Sequence, residues 1–146
     1  MLTALILSAA LQATAPADGV GAFRALCVDT AGDVNRVASA VAAQGGWTTP
    51  ARNGDVFIWS RKDDPTSTLV AGPQDGRFAC MLTLPELTGV DAALSARLGP
   101  YFGAVGEGGL YVFAPSSEAF ERRDLTFIQT STANGKTTLT AIKPQN

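Results

Sequence analysis

The absence of histidine limits the chemistry open to the reactive side chains of this chain, including its two cysteines, Cys27 and Cys80. A cysteine nucleophile usually relies on a neighbouring base, most often histidine, and redox-active cysteines often occur as Cys-x-x-Cys. The sequence contains neither arrangement. Histidine-based zinc or iron sites and Ser-His-Asp hydrolase sites are excluded for the same reason. We therefore predict no catalytic cysteine, no metal site and no cofactor.

The two cysteines are better explained as a structural disulfide than as reactive thiols. Cys27 ends a predicted strand at residues 22–28, and Cys80 lies in a predicted strand at 76–84. Each strand leads into a predicted helix, so the two positions are near-equivalent. A thiolate at a helix start is the alternative, but it lacks a partner base. Closing about 54 residues would stabilise the fold by roughly 4 kcal/mol in the chain-entropy model.

Carboxylates, serine and threonine leave an enzyme as an open alternative. Its mark would be two or more carboxylates converging in one pocket with perturbed pKa values, from the set Asp29, Asp55, Glu107 and Glu118. Asp63 and Asp64 stand beside Pro65, where aspartate commonly makes local turn hydrogen bonds. We interpret this acidic pair as part of a turn.

Two further stretches are weak candidates for catalysis or phosphate binding. The glycine-rich stretch at 103–109 follows a predicted helix and leads into a strand, whereas a phosphate loop follows a strand and opens a helix. We interpret it as a flexible connector. Ser116 and Ser117 could take part in a Ser-Lys arrangement, but no spacing to the three lysines supports one.

The first seventeen residues, MLTALILSAALQATAPA, are apolar, uncharged and rich in small residues at their end, which is typical of a secretory signal peptide. We expect cleavage between Thr14 and Asp18 and a periplasmic or secreted product. The remainder, 18–146, is long enough for one α+β domain with its own core. No second apolar stretch is long enough to cross a bilayer after the signal is removed. The formal net charge of −2 and the scattered basic residues argue against nucleic acid as a partner.

The hydrophobic pattern predicts the elements of this domain. Apolar residues at helical spacing predict helices over 30–45 and 88–99, each opened by a Thr-x-x-Asp capping pair and closed by glycine. Alternation and turn residues predict strands, with the Asn134-Gly135 pair as the clearest hairpin signal. The predicted strands cover 22–28, 55–61, 67–72, 76–84, 109–114, 124–132 and 136–143. The fold class is therefore α+β, with an antiparallel sheet of six to seven strands and two helices on one face.

The chain also resembles itself at a distance. A shift of 54 residues aligns Trp47 with Tyr101 and Val56 with Leu110, and a shift of 59 aligns Gly76 with Gly135. The predicted classes of the aligned segments agree, so residues 22–75 and 76–143 are candidates for an internal repeat of β-α-β-β units. Short strands joined by glycine turns can also match by chance.

Four aromatic residues are the candidates for ligand binding. Phe57 and Trp59 lie on one face of a strand, with Val56 and Ile58 on the other. Both faces need cover, so one of them could meet a partner or an apolar ligand, although burial in the core is the simpler explanation. Trp47 and Tyr101 follow the two helices and could flank a groove between the repeats or close the helix ends over the sheet.

The strand ending in Cys27, the stretch VDTAGDVNRVASAVAAQGGW and the later FACMLTL together resemble small, uncharacterised exported proteins of α-proteobacteria. The resemblance spans roughly residues 22–84, implies a periplasmic location and a structural cysteine pair, and supplies no activity or site residues. Three functions stay open. The favoured one is a non-catalytic module that binds an envelope protein or a small apolar ligand through an exposed sheet face or inter-repeat groove. The others are the carboxylate- or Ser/Thr-dependent enzyme and an inhibitor that inserts residues 115–123 into an envelope enzyme.

Overall fold

The computed structural model describes residues 17–30 and 32–145. These residues form a mixed α+β fold with one antiparallel sheet. The signal segment predicted from the sequence lies outside the described residues except for Ala17, so its cleavage stays a prediction. The helical elements are α1 (Ala17–Phe23), a π-helical turn (Arg24–Val28), α2 (Val34–Gln44), α3 (Val90–Leu98) and α4 (Ser117–Glu121). The strands are β1 (Ala51–Asn53), β2 (Val56–Ser60), β3 (Thr68–Gln74), β4 (Arg77–Pro85), β5 (Phe102–Ala104), β6 (Leu110–Phe113), β7 (Thr126–Ala133) and β8 (Lys136–Pro144).

The strand predicted at residues 22–28 is wrong, because α1 and the π turn occupy this segment. Val20, Phe23 and Leu26 are buried, whereas Arg24 and Ala25 are exposed. This spacing of three residues follows a helix and not the alternation of a strand. Val20 extends this spacing by one more turn, and a window starting at residue 22 omits it.

The two predicted helices exist, but each begins later than its Thr-x-x-Asp pair suggests. Asp33 itself caps α2, because its side chain accepts a hydrogen bond from the backbone N–H of Asn35. Thr30 instead donates its hydroxyl hydrogen bond to the backbone oxygen of Leu26. Gly89 precedes α3 in a left-handed conformation, with a φ of 66° and no side-chain cap. The carboxylate of Asp91 is therefore free to contact the sheet.

The sheet has eight strands in the order β1-β2-β3-β4-β8-β7-β6-β5, whereas the sequence predicts six to seven. Six of the predicted strands form close to their predicted bounds. The two additional strands, β1 and β5, lie at the two edges and have three residues each. Three residues are too few to produce a recognisable alternation. The described residues also include α1 and α4 in addition to the two helices that the sequence predicts.

The strand order is symmetric about the central antiparallel pair of β4 and β8. The β3–β4 hairpin contains the pair Thr68–Thr83, and the β7–β8 hairpin contains the pair Phe127–Ile142. A shift of 59 residues converts both members of the first pair into those of the second. The neighbouring strand pairs differ. When the Phe57–Ala71 pair is shifted by the same alignment, the partner expected for Tyr111 lies two residues away from Ile128, with which Tyr111 pairs. An offset of two preserves the faces of the strands. The internal duplication itself stays a prediction.

The core lies between one face of the sheet and a layer formed by α1, the π turn, α2 and α3. Val37 and Val41 of α2 and Leu94 and Leu98 of α3 point into it. The sheet contributes a larger set of buried side chains from all but the edge strands: Trp59, Leu69, Ala71, Phe78, Cys80, Leu82, Leu84, Tyr111, Phe113, Ile128, Leu139 and Ala141. Among the described residues, none of the members of this buried cluster lies on the opposite face of the sheet.

Candidate functional site

The face of the sheet that points away from the helices is the candidate functional site, and we call it the open face. Its apolar members are Val56, Ile58, Val70, Ala79, Met81, Leu110, Val112, Phe127 and Ile142. Met81, at its centre, is 40% exposed, and the other eight are half-buried. A contiguous apolar surface of this kind is uncommon on a monomeric protein and often marks an interaction site.

The strand register arranges the open face in rows that cross the sheet. One row runs Ile58, Val70, Met81, Thr140, Gln129 and Leu110 from β2 to β6. The next row runs Gly72, Ala79, Ile142, Phe127 and Val112 from β3 to β6. On the other side of the Met81 row, hydroxyl side chains follow one another across five strands: Ser60, Thr68, Thr83, Thr138 and Ser131. The open face therefore has two mainly apolar rows beside one row of hydroxyls.

Thr83 and Thr138 connect the hydroxyl row at the centre of the sheet, with their Oγ1 atoms 3.2 Å apart. Charge occurs only at the two ends of the central strand pair: among the strand residues of the open face, Arg77 and Lys136 are the charged ones. Lys136 lies beside the carboxylate of Asp64, 4.0 Å away. The middle of the open face is consequently uncharged.

Two shallow depressions mark the open face, and both include Ala79 and Met81. One, of about 340 Å³, lies towards β2 and β3 and is lined by Val56, Val70 and Gly72. The other, of about 290 Å³, lies towards β7 and β8 and reaches Gln129 and Ile142. Small-molecule sites usually enclose most of the ligand surface, and these depressions are open along the face. Their shape suits a broad partner better than a small ligand.

Two of the aromatic residues predicted to bind a ligand lie on the helix-covered face. Trp59 is 2% exposed and belongs to the core. Phe57 is half-buried and stacks on Trp59, with ring centroids 5.7 Å apart, while the guanidinium of Arg52 lies 4.7 Å from its ring centroid. The residues between them in sequence, Val56 and Ile58, are the ones that reach the open face. The ligand-binding role of Phe57 and Trp59 stays a prediction that these positions do not favour.

Trp47 and Tyr101 do not flank a common groove. Trp47 is buried near β1, where its Nε1 donates to the side-chain oxygen of Gln44 at 2.7 Å. Tyr101 is half-buried next to β5, with its ring centroid 5.9 Å from that of Phe120. Since β1 and β5 are the two edges of the sheet, the whole sheet separates the two aromatic residues.

Cys27 and Cys80 form the disulfide, with a Cα–Cα distance of 5.3 Å. Cys80 is central in β4 and fully buried, and Cys27 lies in the π turn rather than at the end of a strand. The bond therefore holds the N-terminal helical segment against the centre of the sheet. A disulfide is compatible with an oxidising compartment.

A third concavity, of about 390 Å³, lies at the β5 edge beside the glycine-rich stretch 103–109. Its wall includes Asp91 and Ser95 of α3 and Tyr111 of β6. The Tyr111 hydroxyl donates a hydrogen bond to the carboxylate of Asp91. Burial, followed by this contact, raises the pKa of Tyr111 to about 12. With the phenol neutral, the hydrogen bond between Tyr111 and Asp91 connects α3 to the sheet, so the two residues have a structural role.

The four carboxylates of the enzyme alternative lie on different elements. Asp55 lies in the turn between β1 and β2 and Glu107 in the β5–β6 connection, so they are at opposite edges of the sheet. Asp29 follows the π turn and forms an ion pair with Arg24, and Glu118 pairs with Arg122 within and just after α4. Of these four, Glu107 alone lines the cavity at the β5 edge.

The acidic pair in the β2–β3 connection forms the predicted turn. Asp64 accepts hydrogen bonds from the hydroxyls of Thr66 and Ser67 at 2.6 and 2.7 Å, which lower its pKa to about 2. Asp63 pairs with Arg61 at 3.1 Å. These contacts are local to the turn and explain both carboxylates.

The inhibitor alternative and the Ser-Lys alternative both depend on residues 115–123. Residues 115–123 contain the short helix α4, and Ser116 caps it by accepting a hydrogen bond from the backbone of Ala119. Phe120, 52% exposed, is the most exposed large apolar side chain of this segment. The amines of Lys136 and Lys143 contact Thr66 and Asp124 respectively, away from Ser116.

Comparison of the chain with protein-family models, with curated proteins and with solved structures finds no match. Across residues 17–30 and 32–145, no helix has the length and apolarity needed to cross a bilayer. The same residues contain no group of three or more Cys, Asp or Glu side chains placed to hold a metal ion.

In the sequence, Val56 and Ile58 indicate the open face, but the residues at its centre are not recognisable as part of it. The missing signal is the alternation in β4 and β8, where Met81, Thr138 and Thr140 each lie between two residues that are fully or nearly fully buried. That alternation separates two faces but does not say which one the helices cover. The helices select the face that carries Cys80 and Leu82.

Proposed function

We propose that the protein is an exported, non-catalytic α+β module that binds a protein partner through its open face. The observation that carries the proposal is that one face of the sheet is apolar and has no charge at its centre, whereas the helices cover the other face. An antiparallel sheet with one solvated face usually has polar residues on that face. Here the solvated face has valine, isoleucine, phenylalanine and methionine across six strands, β2 to β4 and β6 to β8.

Burial of this surface supplies the driving force for binding. Apolar surface contributes about 25 cal/mol for each Å² removed from water, and the hydroxyl row can form hydrogen bonds with polar groups of a partner. A small apolar ligand is the alternative occupant. Because the two depressions leave much of such a ligand in water, they support the protein partner more strongly.

Export supports the same proposal from a different side. The apolar segment at 1–17 is typical of a signal peptide, and the disulfide between Cys27 and Cys80 is compatible with an oxidising compartment. The partner we propose is therefore an envelope protein or a second exported chain.

The test compares Met81→Glu with Ala42→Glu. Each substitution adds one carboxylate at an exposed position, but Met81 lies at the centre of the open face, whereas Ala42 lies on α2, in the helical layer on the other side of the sheet. Each variant is immobilised and exposed to envelope extract, bound proteins and lipids are identified, and the captured component is purified and titrated against each variant.

We expect Met81→Glu to weaken the titrated binding by at least about tenfold, because a carboxylate would be buried in an apolar contact, while Ala42→Glu leaves it unchanged. Equal loss in both variants, or none in either, would contradict the open face as the binding surface. Recovery of a lipid instead of a protein would replace the proposed partner with the apolar-ligand alternative.

A further inference from the structure

Resting on the function proposed above, the geometry points to a specific occupant of the open face: we propose that it binds the open face of a second copy of this chain, forming a two-fold symmetric dimer. The two sheets would pack face to face at about 10 Å, as in a β-sandwich, with their helical layers outside. Four observations lead to this partner.

The first observation is the size of the open face. Eight strands at a spacing of about 4.8 Å, with a typical length of about six residues, cover roughly 35 Å by 20 Å, or about 700 Å². A standard protein interface buries about 800 Å² on each partner. One copy of the same sheet therefore covers the surface almost completely, without leaving a large apolar area in water.

The second observation is the arrangement in rows. A two-fold axis that lies between the sheets and runs parallel to the central strands keeps the position of every row along the strand direction. The Met81 row of one copy then meets the Met81 row of the other, and the hydroxyl row through Thr83 and Thr138 meets its own equivalent. Apolar side chains contact apolar side chains, and hydroxyls can hydrogen-bond to hydroxyls, so the surface is self-complementary.

The third observation is the distribution of charge. Among the strand residues of the open face, the charges are those of Arg77 and Lys136, at opposite ends of the central pair. No carboxylate or amine of these strands would be buried at the centre of the dimer, where an unpaired charge is most costly. The positive charge of Lys136 also has the Asp64 carboxylate beside it, 4.0 Å away.

The fourth observation is that the sheet edges are unsuited to assembly. The edge strands β1 and β5 have three residues each, and short edge strands limit pairing with another chain. Edge-to-edge association would also leave the open face in water. Face-to-face packing is the arrangement that removes the apolar rows from water.

Sedimentation velocity of the purified protein at rising concentration, up to about 100 μM, tests the proposal, since an interface of this size can be as weak as micromolar. We expect the wild type to change from monomer to dimer. Met81→Glu should raise the dimer dissociation constant by at least about 100-fold, because the symmetry places two new carboxylates in one interface. Ala42→Glu, on the exposed side of α2, changes the charge equally and should leave the dissociation constant within about twofold.

A methyl label identifies the surface directly. The chain has two methionines, Met1 and Met81, so ¹³C-methyl labelling of methionine gives one probe at the centre of the open face. Its resonance should shift with concentration in step with the sedimentation data, and circular dichroism of Met81→Glu should match that of the wild type.

The outcomes separate this proposal from the function on which it rests. A wild type that stays monomeric overturns the dimer, yet leaves the proposed function intact if Met81→Glu still loses a captured envelope protein. A dimer that forms without a shift of the Met81 methyl, or that Met81→Glu does not weaken, overturns the dimer through the open face. A monomer whose envelope binding is also unaffected by Met81→Glu overturns both proposals.

Discussion

Removal of the disulfide should weaken the fold by about 4 kcal/mol in the chain-entropy model. Cys27 and Cys80 are 53 residues apart, so their bond closes a long loop and removes much of the freedom of the unfolded chain. We propose Cys27→Ala combined with Cys80→Ala as the perturbation, because a single substitution would leave a free buried thiol. Alanine is preferred to serine because both cysteines are buried and alanine introduces no polar group into the core.

The effect should be large enough to measure by both heat and denaturant. An unfolding entropy of about 2.1 cal/mol/K for each residue gives roughly 0.27 kcal/mol/K for a domain of about 130 residues, so a loss of about 4 kcal/mol lowers the melting temperature by roughly 15 °C. The assay is urea unfolding followed by far-ultraviolet circular dichroism, with the free energy extrapolated to water. Thermal unfolding provides the second measurement.

Reduced wild type is the matched control for this experiment. It retains both cysteine side chains and lacks only the covalent bond, so its difference from the double alanine variant isolates the packing of the two sulfurs. We expect reduction alone to account for most of the loss. A loss below about 1 kcal/mol on reduction would refute the loop-closure argument, since the model requires several times that amount for a loop of this length.

Three further predictions concern the sheet and its turns. Gly72→Ala should lower the free energy of unfolding by about 1–3 kcal/mol, because the added carbon would lie 2.8 Å from the backbone at the start of β2. Gly103→Ala, which has open space around it, should not destabilise the fold. The urea midpoints of the two variants measure this difference. Asp64→Asn should destabilise at pH 7, since a carboxyl with its pKa lowered to about 2 stabilises the fold above its ordinary value of 3.8 and loses this effect as the pH falls towards 2. The wild type and this variant should therefore have closer urea midpoints at pH 2 than at pH 7, and an unchanged difference would contradict the role of the turn hydrogen bonds. In a Tyr101→Phe background, the absorbance of Tyr111 at 295 nm should titrate near pH 12. Since its raised pKa stabilises the fold below pH 10, this stabilisation should be lost as the pH rises through 12. A titration midpoint at pH 10 would show an accessible phenol.

Most of the sheet could be predicted from the sequence, because its long strands alternate and its turns carry glycine, proline and aspartate. The hairpin at Asn134-Gly135 is the clearest example, and β7 and β8 form on either side of it as expected. Three-residue edge strands could not be predicted, since pairing with β2 and β6 defines them and their own residues do not. The strand predicted at 22–28 was wrong because this segment is part of a helical region that begins before residue 22, with Val20 on its buried side.

The candidate site was only half visible in the sequence for a different physical reason. Alternation in β2 separates Phe57 and Trp59 from Val56 and Ile58, but the choice of the covered face depends on where α2, α3 and the π turn pack. The aromatic pair has the larger apolar area and lies under the helices. The aliphatic residues are left on the open face. Tertiary contact, which periodicity does not encode, decided the assignment.

The position of β8 in the middle of the sheet has a consequence for when the protein can fold. The last strand of the described chain, Lys136–Pro144, lies between β4 and β7 and joins the two halves of the sheet. Until that strand is available, β4 lacks one of its two neighbours and the sheet is divided. The sheet can therefore be completed only after residues 136–144 have been synthesised. A truncation of only ten residues at the C-terminal end would remove the centre of the molecule rather than trim its periphery.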